Sequence, residues 1–278
     1  MKVLVTGAKG FLGYRLCHFL KEKNYQIYEG VHETLDLTKE DQVFEVFHKE
    51  KPDIVIHCAA ISDVSLCAKK PELSYDINVN GSSYIAAACQ KEGARMIFCS
   101  SDQVYFKSEG NRPHLETEIL SPPHIYGKQK LEAEKKIHEI CDNAVSLRLS
   151  WMYDIFSREG MEHSQLFYNI VKASRDHETI LLPVHDKRSI TNVWDIIENI
   201  EKFFTAPQGI YNYGSENELN TYTLVMEAFG KDLIKPNENA FLESPRNIMM
   251  DGSKAKKIGI HLPESLERMK RDAQNLLR

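Results

Sequence analysis

Short apolar runs alternate with amphipathic stretches through the first half of the chain. The runs have the length of buried strands, and the stretches repeat apolar side chains at the spacing of a helix face. The predicted strands cover residues 2–6, 25–29, 54–58, 95–99 and 145–149, and the predicted helices cover 11–23, 39–50, 74–92 and 127–141. This alternation of predicted strands and helices favours a parallel sheet with helices on both faces.

The rhythm weakens after residue 151. Loops there separate predicted helices near 163–175 and 192–204 from a late strand over 209–213, and the tail, 220–278, is polar and mostly helical in pattern. We therefore expect an α/β protein with a Rossmann-type, doubly wound parallel sheet and a smaller, mostly helical C-terminal substrate lobe.

The same pattern predicts the domain limits. An NAD(P)-binding Rossmann domain should cover residues 1–151, with 188–215 returning to it. The substrate-binding lobe should combine 152–187 with 216–278. The length of 278 residues accommodates one domain of common size and such a lobe.

The composition narrows the classes of function. Hydrophobic residues make up 42% and charged residues 27%, as in ordinary globular proteins, and the net charge of −5 disfavours a nucleic-acid partner. The apolar run within residues 1–10 is too short for a signal peptide, and no stretch has the length of a spanning helix. Six cysteines without a Cys-x-x-Cys pair indicate reduced thiols. We expect a cytoplasmic protein with no membrane partner and no metal site.

Three glycines in a G-x-x-G-x-x-G pattern separate the first predicted strand from the first predicted helix. The first permits a tight turn, the second lets backbone approach a pyrophosphate, and the third lets the helix pack on the strand. The helix N-terminus then offers free N–H groups to phosphate. A plain glycine-rich turn is the alternative interpretation. The candidate cofactor contacts here are Gly7, Lys9, Gly10, Phe11, Leu12 and Gly13.

The end of the second predicted strand bears on the choice of cofactor. An NAD site usually places an acidic residue there to hold the ribose hydroxyls, whereas this chain reads Glu29-Gly30-Val31-His32. Glu29 comes early, while His32 and Lys9 could approach a 2′-phosphate. The pattern favours NADP(H) as the cofactor, with NAD(H) as the alternative and both side chains merely solvated as a third interpretation.

Asp36 follows in the segment Leu35-Asp36-Leu37-Thr38. Its carboxylate could cap the next helix, or it could accept a hydrogen bond from an adenine amino group. The glycine pattern upstream favours the adenine role, and Leu37 beside it is a further candidate cofactor contact.

A third group of residues, which we name the trio, consists of Ser101, Tyr126 and Lys130. Tyrosine and lysine four residues apart share one face of a helix. A phenol has a pKa of about 10 and is a poor acid–base catalyst near neutrality, but an adjacent ammonium can lower that pKa. A serine at the end of a strand can hydrogen-bond the same substrate oxygen. The trio therefore predicts an acid–base site, against the alternative of a solvated helix face.

These segments together resemble the extended short-chain dehydrogenase/reductase family and, within it, the dTDP-4-dehydrorhamnose reductases. The likeness is dense over residues 1–153 and thin afterwards. Departures at Gln103, at Lys107 and over 186–191 leave the sugar and the nucleotide open. The matching segments are Thr-Gly-Ala-x-Gly-Phe-Leu-Gly at 6–13, His-Cys-Ala-Ala at 57–60, Ile-Asn-Val-Asn-Gly at 77–81, Ser-Ser-Asp-Gln-Val-Tyr at 100–105, Ile-Tyr-Gly-Lys-Gln-Lys at 125–130 and Leu-Arg-Leu-Ser-Trp at 147–151.

The resemblance implies roles at the matching positions. Tyr126 would be the general acid, Lys130 would bind the nicotinamide ribose and tune Tyr126, and Ser101 would polarise the keto oxygen. Arg188 is a candidate phosphate contact because a planar guanidinium suits phosphate oxygens, with a surface arginine as the alternative. The implied further cofactor contacts are Ala59, Ala60, Ile61 and Asn78, and the candidate substrate contacts are Ser62, Ser101, Asp102, Trp151 and Arg188.

The predicted function is NADPH-dependent reduction of a 4-keto nucleotide sugar. A nucleotide-sugar epimerase or dehydratase is one alternative, although a dehydratase typically carries an acidic pair where this chain has Asp102 and Gln103. A non-catalytic NADP-binding regulatory subunit is another, which has less need of an intact trio. The partners expected are the nucleotide sugar and, as an open alternative, a second copy of the chain in a homodimer.

Overall fold

The computed structural model of the chain describes residues 1–107, 110–155, 166–230 and 232–276. Residues 163–165, the start of one predicted helix, lie outside the described residues. The strands are β1 (Lys2–Thr6), β2 (Gln26–Gly30), β3 (Ile54–His57), β4 (Arg95–Ser101), β5 (Ala144–Leu149), β6 (Trp151–Tyr153), β7 (Ile180–Pro183), β8 (Asp186–Arg188), β9 (Ile190–Asn192), β10 (Gly209–Tyr213), β11 (Ile234–Asn237) and β12 (Arg246–Ile248).

The helices account for most of the remaining regular structure. Single turns of other geometry occur at Asp76–Gly81, a π-helix, and at Asp102–Tyr105 and Ile200–Phe204, which are 3₁₀-helices. The α-helices are α1 (Phe11–Glu22), α2 (Glu40–Glu50), α3 (Val64–Lys69), α4 (Pro71–Tyr75), α5 (Ser82–Glu92), α6 (Ile125–Ile140), α7 (Leu166–Arg175), α8 (Val193–Glu198), α9 (Thr221–Phe229), α10 (Ser253–Lys256) and α11 (Ser265–Leu276).

The central sheet confirms the predicted fold class. Within the described residues, six strands form a parallel sheet in the order β10-β5-β4-β3-β1-β2. Thr6 lies beside His57, and His57 lies beside Phe98, so the carboxyl ends of β1, β3 and β4 lie side by side. The chain adds β2 on one side of β1 and β3 on the other, and this reversal opens a crevice at the carboxyl edge.

The core on one face of this sheet is built by α2, α5 and α6. Strands buried on both faces read as continuous apolar runs, as in Ile54–Ile56 of β3, where no side chain exceeds 4% exposure. Phe47 of α2 and Ile137 of α6 are fully buried in the same cluster. The apolar residues that recur at helix spacing in α2 and α6 are therefore the residues that face this core.

The predicted helix over 74–92 is divided in the structure. A π-helical turn, Asp76–Gly81, separates α4 from α5. Gly81 within it packs against Leu37, since a Cβ at this glycine would come within 2.8 Å of the Leu37 side chain. Such a turn keeps helical polarity and adds one residue, so the spacing of apolar residues does not reveal it.

The chain divides into two compact units. Unit 1 comprises residues 1–104, 120–148 and 199–211, and unit 2 comprises the rest of the described chain from 105–119, 149–198 and 212–276. Residues 105–119, expected with the sheet, belong to unit 2. The reason is a set of polar contacts within that unit: the His114 backbone N–H donates to the Met249 carbonyl over 2.8 Å, and the Asn247 side chain donates to the Arg112 carbonyl over 2.8 Å.

Unit 2 has its own apolar core and more strand than expected. Tyr153 stacks on Phe167 with ring centroids 4.2 Å apart, and Ile190, Leu224 and Met269 are buried around them. Besides the expected helices, parallel pairs form between β6 and β9, β7 and β11, and β8 and β12. These strands have three or four residues, too few for an alternating pattern to be recognised.

The six cysteines are all free thiols. Cys58 and Cys99, at the ends of neighbouring strands, bring their Sγ atoms within 3.5 Å of each other. Among the described residues, none of the helices combines the length and the apolar character needed to cross a bilayer.

Arg95 ties the returning segment 199–211 to β4. Its side chain is 8% exposed. Its Nε donates to the Phe203 carbonyl over 2.9 Å, and its Nη2 and Nη1 donate to the Ala206 carbonyl and to the Asn143 side chain. A buried guanidinium with this number of acceptors acts as a clamp that an apolar side chain cannot replace.

Replacing Arg95 by Met should lower the free energy of unfolding by about 1–3 kcal/mol, because the buried carbonyls lose their donors. Urea denaturation of the purified protein measures this change. Lys49→Met, at a side chain that is 83% exposed, removes the same charge and should leave the midpoint in place. Equal midpoints for the two variants would contradict the clamp.

Candidate active site

The structure brings the trio together at the carboxyl end of β4. Ser101 is the last residue of that strand, and Tyr126 and Lys130 lie one turn apart on α6. All three side chains are buried, with 9%, 7% and 2% exposure. Ser101 is near enough to Tyr126 to act on the pKa of its phenol. The Lys130 Nζ donates to the Cys99 carbonyl over 2.8 Å and lies 6.0 Å from the centre of the Tyr126 ring.

The start of α6 is held by local contacts that place Tyr126. His124 is the N-cap residue, and its Nδ1 accepts from the Gly127 backbone N–H over 2.9 Å. Gly127 allows close approach of the preceding loop, because a Cβ there would lie 2.8 Å from the Gln103 carbonyl oxygen and from Pro122. The helix therefore begins against the turn that follows Ser101.

Burial controls the protonation of these groups. It raises the pKa of Tyr126 above its usual value, although Ser101 acts in the opposite direction. Burial also lowers the pKa of Lys130 to about 8. The expected lowering of the Tyr126 pKa by Lys130 is not what this structure shows, because desolvation dominates and the ammonium points to the Cys99 carbonyl. Tyr126 is thus a neutral phenol, ready to donate its proton.

A groove of about 280 Å³ runs along the carboxyl edge beside this site, within unit 1. Seven of the predicted cofactor contacts line it, on four separate segments. They are Gly7, His32, Asp36, Leu37, Ala59, Ala60 and Ile61. The lining residues that the sequence analysis missed are Thr6, Gly30, Leu35 and Ile77. Each of these four residues lies beside a motif position in the chain, and this adjacency is the signal by which they could have been predicted.

The glycine loop has the geometry of a phosphate cradle. Gly7 adopts a φ of +65°, and a Cβ on it would lie 2.9 Å from the Ala59 backbone. A Cβ on Gly13 would lie 2.3 Å from the Gly7 carbonyl oxygen. Gly10 is the N-cap of α1, and Lys9, Phe11 and Leu12 belong to the same turn rather than to the groove wall. The N-terminus of α1 therefore stands at the loop with its first N–H groups available.

Two buried polar chains hold the loop 59–61 in place. In the first, Thr6 Oγ1 lies 2.7 Å from His57 Nδ1 and accepts from the Ala59 N–H over 3.1 Å. His57 Nε2 lies 3.0 Å from the Ser82 hydroxyl. His57, recognised from the sequence only as part of a motif, is fully buried behind the loop, and burial lowers its pKa to about 3.

The second chain explains Asn78, which lies in the π-helical turn. Its Oδ1 accepts from the Ile61 N–H over 2.8 Å, and its Nδ2 donates to the Ile61 carbonyl over 3.0 Å and to Gln129 Oε1 over 2.9 Å. Gln129 in turn donates to the Ser74 hydroxyl over 2.8 Å. Gln129, between the tyrosine and lysine of α6, was missed, because spacing alone does not show which residue faces inward.

The far end of the groove carries the groups that bear on cofactor choice. Lys9 forms an ion pair with Glu33 over 2.8 Å, and His32 is 81% exposed with Nδ1 3.8 Å from Asp36. Glu29 pairs with Lys21 over 2.5 Å on the strand's outer side. Glu33 is an acidic residue directly after Glu29-Gly30-Val31-His32, the segment from which NADP(H) was predicted.

Asp36 does not cap α2, whose N-cap residue is Lys39. The Asp36 carboxylate instead accepts from the Thr38 N–H over 3.0 Å and from the Thr38 hydroxyl over 2.7 Å. The capping interpretation is therefore wrong, and the carboxylate lines the groove.

The predicted substrate contacts fall into two groups. In unit 1, Ser62 is exposed before α3, and Asp102 is buried with Oδ1 accepting from Gln103 Nε2 over 3.1 Å. In unit 2, Trp151 and Arg188 meet each other, with the guanidinium carbon 4.7 Å from the centre of the Trp151 ring. Asp102 thus lies directly after Ser101 in unit 1, whereas Trp151 and Arg188 contact each other in unit 2.

Comparison with known proteins agrees with this geometry. The model of the RmlD substrate binding domain family matches residues 1–276. The chain belongs to this family. A spore coat polysaccharide biosynthesis protein, SpsK of Bacillus subtilis, is 31% identical over 232 residues, which cover 82% of this chain and 80% of that protein.

Further proteins similar to this chain differ in what they are named for. The crystal structure of dTDP-4-dehydrorhamnose reductase from Bacillus anthracis in complex with NADP matches with a TM-score of 0.87 and 25% identity over 99% of both chains. The methionine adenosyltransferase 2 subunit beta of Pongo abelii is 26% identical over 93% of this chain and 83% of that protein. Proteins similar to this chain therefore include both a reductase and a subunit of another enzyme.

The buried His57 should make the stability of this RmlD-family chain fall in acid. Its pKa is about 3 in the folded state, against an ordinary 6.5. Between pH 6.5 and pH 3 the unfolded chain therefore binds a proton at this residue, whereas the folded chain does not. The free energy of unfolding should thus decrease as the pH is lowered, by up to about 1.4 kcal/mol per pH unit from this residue. His57→Gln should flatten the slope between pH 6 and 4 (about one proton less).

Urea denaturation at several pH values measures that slope. His48→Gln, at a side chain that is 80% exposed, is the matched control and should retain the full slope. An unchanged slope in His57→Gln would show that other groups cause the acid sensitivity.

Proposed function

We propose that this protein is an NADPH-dependent reductase of a 4-keto nucleotide sugar of the dTDP-4-dehydrorhamnose type. The observation that carries the proposal is the buried trio at the end of β4, next to a groove built for a dinucleotide. The similarity to a reductase solved with NADP over 99% of both chains supports it. The relation to a polysaccharide biosynthesis protein is in keeping with a sugar substrate.

The residues present fit the proposed cofactor. Gly7 and Gly13 allow the close backbone packing of this loop, because a Cβ at either position would lie within 3 Å of neighbouring backbone. Gly10 begins α1, whose N-terminus would face a pyrophosphate. Asp36 and Leu37 would border the adenine, and Ala59 to Ile61 would border the nicotinamide half. Bound NADPH supplies a hydride to the keto carbon.

The trio would perform the proton chemistry on the sugar. The Ser101 hydroxyl would hydrogen-bond the keto oxygen, and the Tyr126 phenol would give it a proton as negative charge develops there. Lys130, fixed by the Cys99 carbonyl, places a positive charge beside the ring and would hold the ribose.

A second function is favoured by one specific observation. A relative covering 93% of this chain is named as a subunit of methionine adenosyltransferase, so a regulatory role without turnover is the alternative. The dehydratase alternative is weaker, because Gln103 holds Asp102 through its amide over 3.1 Å and supplies no second acid.

Wild-type protein should bind NADPH more tightly than NADH, because His32 lines the groove and the exposed Lys9 amine, paired with the neighbouring Glu33, could approach a 2′-phosphate. Lys9→Ala should weaken NADPH binding by about tenfold and leave NADH binding unchanged. Fluorescence titration of both cofactors measures this difference. Lys23→Ala, at the other end of α1, loses the same charge and should behave as wild type. Tighter binding of NADH than NADPH would instead point to Glu33 or Glu29 as the ribose ligand.

Tyr126→Phe should lower the turnover number for reduction of dTDP-4-dehydrorhamnose by about 10²–10⁴-fold, since it removes the general acid. Cofactor affinity should be retained because one hydroxyl is lost at a site away from the phosphates. NADPH oxidation followed by absorbance measures turnover. Tyr168→Phe, on the exposed side of α7, is the control.

Near-normal turnover in Tyr126→Phe would overturn the mechanism. NADPH binding by wild-type protein without turnover of any 4-keto nucleotide sugar would support the regulatory alternative instead.

A further inference from the structure

A fully buried ion pair lies directly behind the trio. The side chains of Glu134 on α6 and Arg148 on β5 are each 2% exposed. Arg148 Nη2 donates to Glu134 Oε2 over 2.7 Å, and Arg148 Nε donates to Oε1 over 3.1 Å. The Ser100 hydroxyl on β4 donates to the same Oε1 over 2.5 Å. One carboxylate therefore links three elements of unit 1.

The position of this carboxylate relates it to the trio. Glu134 follows Lys130 by one helical turn, and Ser100 immediately precedes Ser101. Lys130 makes the neighbouring contact between the same two elements, through the Cys99 carbonyl. Two consecutive residues of β4 are thus each bonded to α6 just before the strand ends at Ser101. A slide or rotation of α6 would break both bonds and would move the Tyr126 phenol away from Ser101.

Stability alone does not account for a pair of this kind. A buried ion pair loses its hydration, and apolar residues of similar volume often stabilise a fold equally well. What an apolar pair cannot supply is a negative charge one turn from Lys130. The Glu134 carboxylate is one of the groups, after the Cys99 and Cys58 thiols, that favour the charged form of that lysine against the burial that lowers its pKa. The titratable groups that face Lys130 are Tyr126, Glu134, His57, Cys58, Cys67 and Cys99.

We propose that Glu134, held by Arg148 and Ser100, is a positioning residue of the active site. It fixes the helix that carries Tyr126 and Lys130 against the strand that ends at Ser101, and it places a negative charge one helical turn from the Lys130 amine. This role in turnover rests on the proposed reductase function, whereas its effect on the protonation of Lys130 does not.

The test replaces Glu134 by Gln, which keeps the side-chain volume and removes the charge. NMR of protein labelled at lysine Cε, with the Lys130 signal assigned from Lys130→Arg, follows the titration of Lys130 without any substrate. The pKa of Lys130 should shift downward. The turnover number should fall by up to about 100-fold, with the Michaelis constant for the sugar little changed. The pH–rate profile should move in the same direction as the NMR titration.

Glu139→Gln is the matched control, because Glu139 is a 60% exposed glutamate of the same helix. It should alter neither the titration nor turnover, and Glu134→Asp should restore part of both. If Glu134→Gln does not fold, the doubly neutral Glu134→Gln/Arg148→Gln replaces it. A smaller downward shift is then expected, because the loss of the Arg148 cation acts in the opposite direction while the lost carboxylate lies on the lysine's own helix.

A folded Glu134 variant in which Lys130 titrates as in wild type would overturn the proposal, whatever its turnover. A wild-type chain that reduces no keto sugar would contradict the proposed function only, and the lysine titration would still decide the role of Glu134.

Discussion

The in-register parallel pairing of β1, β3 and β4 is the constraint on which the rest of unit 1 depends. Parallel strands in register end together, and so Thr6, His57 and the last residues of β4 stand at one edge. Each following segment leaves from that edge: the glycine loop, the loop 59–61, and the turn after Ser101. Residues far apart in the chain meet there without any long loop.

That edge is lined by polar groups that are buried, and their mutual satisfaction makes the arrangement precise. Thr6, His57 and Ser82 form one hydrogen-bonded chain, and Asn78 and Gln129 belong to another. An unpaired buried polar group is costly, so each member restricts the position of the next. The loop 59–61 is consequently held from two sides, although it has no regular structure of its own.

Burial also decides the electrostatic state of the site. Desolvation disfavours charge on every group, which keeps Tyr126 protonated and makes the Lys130 ammonium dependent on nearby acceptors. The Cys99 carbonyl accepts a hydrogen bond from this ammonium, and the Glu134 carboxylate is one of the groups whose charge favours it. The fold is shared with proteins of different roles, and it is these side chains, rather than the sheet, that support a reductase.

Local pattern determined a large part of this protein by itself. The apolar runs specify β1 to β5 and the amphipathic stretches specify α1, α2, α5 and α6, because burial on a strand or on one helix face imposes a fixed period. The glycines, and the serine, tyrosine and lysine of the trio, could also be recognised, since their chemistry depends on spacing within one segment. The tertiary structure alone decided the rest. The π-helical turn, the short strand pairs of unit 2, and the roles of His57, Gln129 and Glu134 depend on partners distant in the chain. Hydrogen bonds and desolvation depend on which residues are neighbours in space, and the sequence of a single segment does not reveal which residues those are.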